Sequence, residues 1–152
     1  MRFSRPTNLS KNVFIAPEKE HIAARQDGEV YQPYLKYLRS VRTKDLPVIN
    51  IWILMSRSKY RYLLEFDLYE GFTGNKGCTL SFTKEGVSIL NKIITSKPHK
   101  KIAPITSCSY AACQYTSLED AVEVANQLAA FDDSSEVWDI DLSIKSRITK
   151  SE

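Results

Sequence analysis

Two adjoining stretches of the chain alternate apolar and polar positions, and they set the fold expectation. In Val48–Met55, Ile49, Ile51, Ile53 and Met55 share one face, while Val48, Trp52 and Leu54 occupy the other. Apolar residues on both faces predict a strand that is covered on both sides and central in its sheet. Ser56–Lys59 reads as a turn. Tyr60–Glu70 alternates again, with Tyr60, Tyr62, Leu64, Phe66 and Leu68 on one face and Arg61, Glu65 and Asp67 on the other. Together the two stretches predict a hairpin.

Elsewhere the period is helical. Pro33–Arg42 repeats Leu35, Leu38 and Val41 at helical spacing, with Tyr34 and Tyr37 on an adjoining stripe and Lys36, Arg39 and Arg42 on a basic one. Pro17–Gln26, with Pro at its start and Gly28 past its end, predicts a short helix before it. Gly71–Gly77 is a glycine-rich turn, and Cys78–Phe82 a short strand. Thr83 is placed to cap a helix from Lys84 to Thr95, and Ser117 with Asp120 a helix Leu118–Phe131. Ser96–Lys101 reads as a basic loop, Thr106–Tyr115 as a strand, and Glu136–Ile144 as a strictly alternating last strand. The predicted order is ααβββαβαβ. That order implies an α+β fold, a single domain with an antiparallel sheet of about five strands and the helices packed on one face. Residues 1–14 read as an N-terminal arm anchored by Val13, Phe14 and Ile15, residues 15–144 as the domain, and residues 145–152 as a polar tail.

Length and composition leave that picture intact. At 152 residues, 43% hydrophobic and 26% charged, the chain suits one core without staples. Its longest apolar run, Val48–Met55, is far short of a bilayer span, and the N-terminus has no apolar leader core. A cytoplasmic protein without membrane contact is expected. Three cysteines, Cys78, Cys108 and Cys113, are then expected as reduced and mostly buried thiols.

Charge adds an asymmetry to the +3 total. Residues 1–62 hold 12 Lys/Arg against 5 Asp/Glu, whereas residues 63–152 hold 9 against 13. Between Leu118 and Leu142 there are eight acidic residues and no basic one. Such separation can steer charged partners.

Catalytic and metal chemistry find little support in the pattern. Cys78, His99, Cys108 and Cys113 lack the tight paired spacing of structural zinc. Cys108 with His99 could form a nucleophile and base, but His99 sits in the basic loop. Asp139 and Asp141 share a strand face and could hold a divalent cation, though a solvated acidic face is the favoured reading. Gly71–Gly77 lacks the Gly-Lys-Ser/Thr ending of a nucleotide-phosphate loop. No enzyme, cofactor or metal is expected. Binding chemistry remains, because cations interleaved with aromatics can hold single-stranded nucleic acid. The candidates are Arg57, Lys59 and Arg61 at the hairpin tip, Lys76 in the glycine-rich loop, and Lys97, Lys100 and Lys101 in the basic loop. Tyr60 and Tyr62 share the face of Leu64 and Phe66, which marks them as half-buried.

The stretch Lys59–Glu70 followed by Gly74–Leu90 resembles the single-stranded-DNA-binding domain of the transcriptional positive-cofactor family and, in its strand-to-helix step, the Whirly proteins. The matching order is Lys76-Gly77, then Cys78-Thr79-Leu80-Ser81, then Thr83 and Leu90. The resemblance implies a curved antiparallel sheet that holds melted DNA in a dimer, with binding roles for Lys59, Arg61 and Lys76. Two readings of function follow. One is a non-enzymatic single-stranded nucleic-acid-binding module, expected as a homodimer. The other is a small protein-interaction module, an inhibitor, immunity or accessory protein, docking on a protein partner through its acidic C-terminal or basic N-terminal face.

Overall fold

A computed structural model describes residues 6–17, 31–42, 46–55, 57–68, 81–107, 110–132, 139–141 and 147–149. The predicted hairpin is its centre. Strand β2 (Val48–Ile53) pairs antiparallel with β3 (Tyr62–Asp67), with Ile51 opposite Leu64 and Asn50 opposite Glu65. Strand β5 (Tyr110–Tyr115) continues the sheet beside β3, and β4 (His99–Ala103) closes that edge. On the other side β2 pairs with β1 (Val13–Pro17) in parallel. The order across the sheet is β1-β2-β3-β5-β4.

The parallel pair corrects the expectation of a purely antiparallel sheet. Val13–Pro17 begins inside the stretch read as an arm and uses the anchoring residues Val13, Phe14 and Ile15. It ends at Pro17, where a helix was expected to start, and the rest of that predicted helix lies outside the described residues. Four of the strand's five residues are buried, so it reads as a continuous apolar run without alternation. Parallel neighbours need a long crossover, and this one contains α1 (Tyr31–Arg42).

Helices cover both faces of the sheet, which corrects the one-face expectation. Helix α1 packs Tyr34, Leu38 and Val41 onto Phe14, Ala16, Val48 and Trp52. Helices α2 (Lys84–Ile94) and α3 (Leu118–Ala129) pack on the other face, where Ile49, Ile51, Leu64 and Phe66 meet Leu90, Ile93, Val124 and Leu128. The two-sided apolar pattern of β2 is the cause, since Ile49 and Trp52 are both essentially inaccessible but belong to different cores. Both predicted caps form. Thr83 Oγ1 accepts from the Gly86 N–H at 3.0 Å, and Ser117 Oγ accepts from the Asp120 N–H at 3.1 Å.

Three further expectations change. The second half of the basic loop is strand β4, whose residues pair with Tyr115, Gln114 and Cys113 before a bulge sets Ala103 opposite Ala112. The strand expected from Thr106 starts at Tyr110, with residues 108 and 109 outside the described set. The expected tail contains β7 (Arg147–Thr149), which pairs with β6 (Asp139–Asp141) in a separate two-stranded sheet. Of the predicted strand Cys78–Phe82, only Ser81 and Phe82 are described, and neither is in a strand. The described order is therefore βαββαββαββ, an α+β single domain built on a five-stranded mixed sheet.

Candidate nucleic-acid interface

Strand register decides which of the candidate cations come together. Trp52, Leu63, Gln114 and Lys100 form one row across β2, β3, β5 and β4. The row lies on the α1 face, because Trp52 and Leu63 pack in the α1 core. Arg61 precedes Leu63 by two residues and so belongs to the same face. Neighbouring strands are about 4.8 Å apart, so the backbones at Leu63 and Lys100 are separated by about 10 Å with Gln114 between them. Arg61 and Lys100 are both exposed, and Gln114 is half-buried.

The hairpin tip extends from the same end of the sheet. The Leu54 N–H donates to the Arg61 carbonyl at 2.8 Å, which continues the ladder one step past the strands. The Tyr60 N–H then donates to Ser58 Oγ at 3.1 Å. Arg57 and Lys59 are exposed on this tip, beside Met55 at 58% exposure. The Lys59 ammonium lies 5.3 Å from the Tyr60 ring centroid, and the Arg61 guanidinium 6.0 Å from that of Tyr62. Arg61 Nε also donates to the Leu54 carbonyl at 3.4 Å. Tyr62 packs against the main core, as its alternation with Leu64 and Phe66 predicts.

The other candidates are placed differently. Lys97 donates to Glu123 Oε1 at 2.9 Å and is only 15% exposed, so its charge is matched by α3. Lys101 is exposed but stands opposite Cys113, on the face covered by α2 and α3. Lys76 lies outside the described residues, as do Cys78 and Cys108. His99 is half-buried, with Nδ1 2.7 Å from the Lys97 carbonyl. Asp141 stands opposite Arg147 in the register of the small sheet.

The two faces differ in charge. The α1 face carries exposed Lys36, Arg39, Arg61 and Lys100. The opposite face carries α3, whose sequence Leu118–Ala129 contains Glu119, Asp120 and Glu123 and no basic residue, together with exposed Lys84 and Lys92 of α2 and Lys101 of β4. None of Lys36, Arg39, Arg57, Lys59, Arg61 and Lys100 makes an ion pair among the described residues. The lysines and bulge of β4 also oppose edge-to-edge strand pairing with a second copy.

Beyond the row, the α1 face holds a buried carboxylate. Glu65 is 2% exposed and accepts from Trp52 Nε1–H at 2.6 Å and from the Tyr110 hydroxyl at 2.5 Å. Burial, then the bond to Glu65, pushes the Tyr110 hydroxyl above the usual phenol range. On the opposite face the Tyr115 hydroxyl donates to the Ile94 carbonyl at 2.6 Å, and burial raises it likewise. Burial also pushes the Cys113 thiol up. All three shifts disfavour the charged form. The sequence placed Glu65 on a polar face but gave no sign that Trp52 would bury it there. It gave no prominence to Gln114 at all.

No protein family, curated protein or solved structure matches the chain. Among the described residues, no helix is long and apolar enough to cross a membrane.

Proposed function

We propose that the protein binds single-stranded nucleic acid on the α1 face of its sheet, with Arg57, Lys59, Arg61 and Lys100 holding phosphates. The observation that carries this reading is the grouping of exposed Arg57, Lys59, Arg61 and Lys100 at one end of the sheet. Exposed cations that make no ion pair among the described residues gather on the face of α1 and at the hairpin tip, while the acidic helix α3 lies across the sheet. Such a distribution favours a polyanion at the hairpin tip and the α1 face over the surface of α3. Cations spaced over the hairpin tip and β4 suit an unpaired strand, whose backbone they can follow.

The test is fluorescence anisotropy with a labelled oligo(dT) at rising salt. Binding at micromolar protein is expected at about 50 mM salt, with a log–log slope of about −0.7 per phosphate contacted. Four cations set the slope at about −2.8. The triple variant Arg57→Glu, Lys59→Glu, Arg61→Glu should lose measurable binding, whereas Lys97→Gln should retain it. Absence of binding by the unmodified protein at about 50 mM salt would overturn the proposal.

A further inference from the structure

The exposed cations of the hairpin tip and of β4 occupy one corner of the sheet, and what surrounds that corner sets how far a bound strand can run. Arg61 lies about 7 Å along β3 from Leu63, and Lys100 lies about 10 Å across the sheet from Leu63. The backbones at Arg61 and Lys100 are therefore about 12 Å apart. Arg57 is further round the tip, so at most about 26 Å of backbone path separates it from Lys100. The field of cations stops on each side. Before His99, Lys97 is held by Glu123 at 2.9 Å. Towards the other end of β3 and β5 the same face carries carboxylates. Asp67 stands opposite Tyr110 there, and the Tyr110 hydroxyl donates to Glu65. On the β2 side, α1 covers Val48 and Trp52. Exposed Lys36 and Arg39 belong to α1, which packs over β1 and β2, away from β4.

We propose that the ligand is a short unpaired segment of about five nucleotides, as in an overhang, a gap or a loop, in place of a long single-stranded tract. This rests on the nucleic-acid reading given above. Arg57, Lys59, Arg61 and Lys100 meet about four phosphates, and about four phosphates join about five nucleotides. Beyond the corner a longer strand passes into solvent or towards the carboxylates of Asp67 and of α3, so its added phosphates gain no contact. Single-strand sites span about 4–16 nucleotides per module, and this one falls at the short end. A slope of about −0.7 per phosphate, followed from about 1 M down to about 50 mM salt, makes each contact worth about eightfold in affinity. Affinity therefore climbs steeply with length while contacts are being added and levels off once the corner is full.

The test measures the anisotropy of labelled oligo(dT), from about two to about twelve nucleotides long, with the full chain at about 50 mM salt. Affinity is expected to rise about eightfold per nucleotide up to about five nucleotides. From there to about twelve it should rise by less than about tenfold in all, the gain that extra equivalent placements give. Lys100→Gln should move the break to about four nucleotides and weaken the longest oligonucleotide about eightfold. The double variant Lys36→Gln, Arg39→Gln should leave the profile unchanged. An affinity that keeps rising about eightfold per nucleotide beyond about eight nucleotides would overturn the short site and leave the nucleic-acid reading standing. So would a double variant that weakens only the longer oligonucleotides, because the strand would then continue over α1. If no oligonucleotide binds the unmodified protein, the nucleic-acid reading falls and the short site falls with it.

Discussion

The buried bond between Trp52 and Glu65 gives a sharp test of what holds the α1 face together. Trp52 is 1% exposed and Glu65 2%, and the indole N–H reaches the carboxylate at 2.6 Å. Replacing Glu65 with Leu leaves that N–H buried without an acceptor, a loss of about 1–3 kcal/mol. The Tyr110 hydroxyl is less affected, since the residue is 37% exposed and can turn to water. Trp52→Phe removes the donor but keeps a ring beside Phe14 and Tyr34, whose centroids lie 5.8 and 5.7 Å from that of Trp52. It costs the charge-assisted bond, about 1.5–3 kcal/mol, plus some packing. In the double variant neither partner is left unmet. The double variant should therefore be more stable than the two single losses add up to, by about 1.5–3 kcal/mol. Urea unfolding of all four proteins, followed by far-UV circular dichroism, measures this coupling. Additivity to within about 0.5 kcal/mol would refute the argument and reduce the bond to a geometric coincidence.

Other outcomes follow from single groups. Tyr110 and Tyr115 both have phenols raised by burial. Raised folded values mean their contribution to stability is complete below the unfolded phenol value of about 10 and is lost as pH climbs above it. Thermal melts should therefore show a decline beginning near pH 10 that is smaller in Tyr115→Phe. Native Cys113, buried and with its thiol pushed up, should resist a thiol-directed aromatic disulfide at pH 8 and react once the chain is unfolded in guanidinium. Glu123→Gln breaks the ion pair with Lys97 at a site where Glu123 is 45% exposed, so chemical denaturation should report a loss under about 1 kcal/mol. Thr83→Ala removes the cap of α2 and should cost about 1 kcal/mol by the same measurement.

The elements that the sequence determined are those whose signal is local. Alternation in Val48–Asp67 specifies the hairpin and the burial of Tyr62, Leu64 and Phe66, because side chains on a strand can only point two ways. The capping residues Thr83 and Ser117 mark the starts of α2 and α3, since the cap is a contact over three residues. Tertiary structure decided everything that depends on partners distant in the chain. Val13–Pro17 carries no alternation, and its identity as a strand comes from pairing with residues more than thirty positions later. His99–Ala103 is charged and looks like a loop, yet Tyr110–Tyr115 recruits it as an edge. The same holds for the candidate interface. The sequence gathered Arg57, Lys59 and Arg61 by proximity, but only the register across β3, β5 and β4 set Gln114 and Lys100 beside Arg61. Only the packing of α3 removed Lys97 by bringing Glu123 to it. Backbone pairing and ion pairing between remote segments depend on chain geometry, and no residue's local sequence records it.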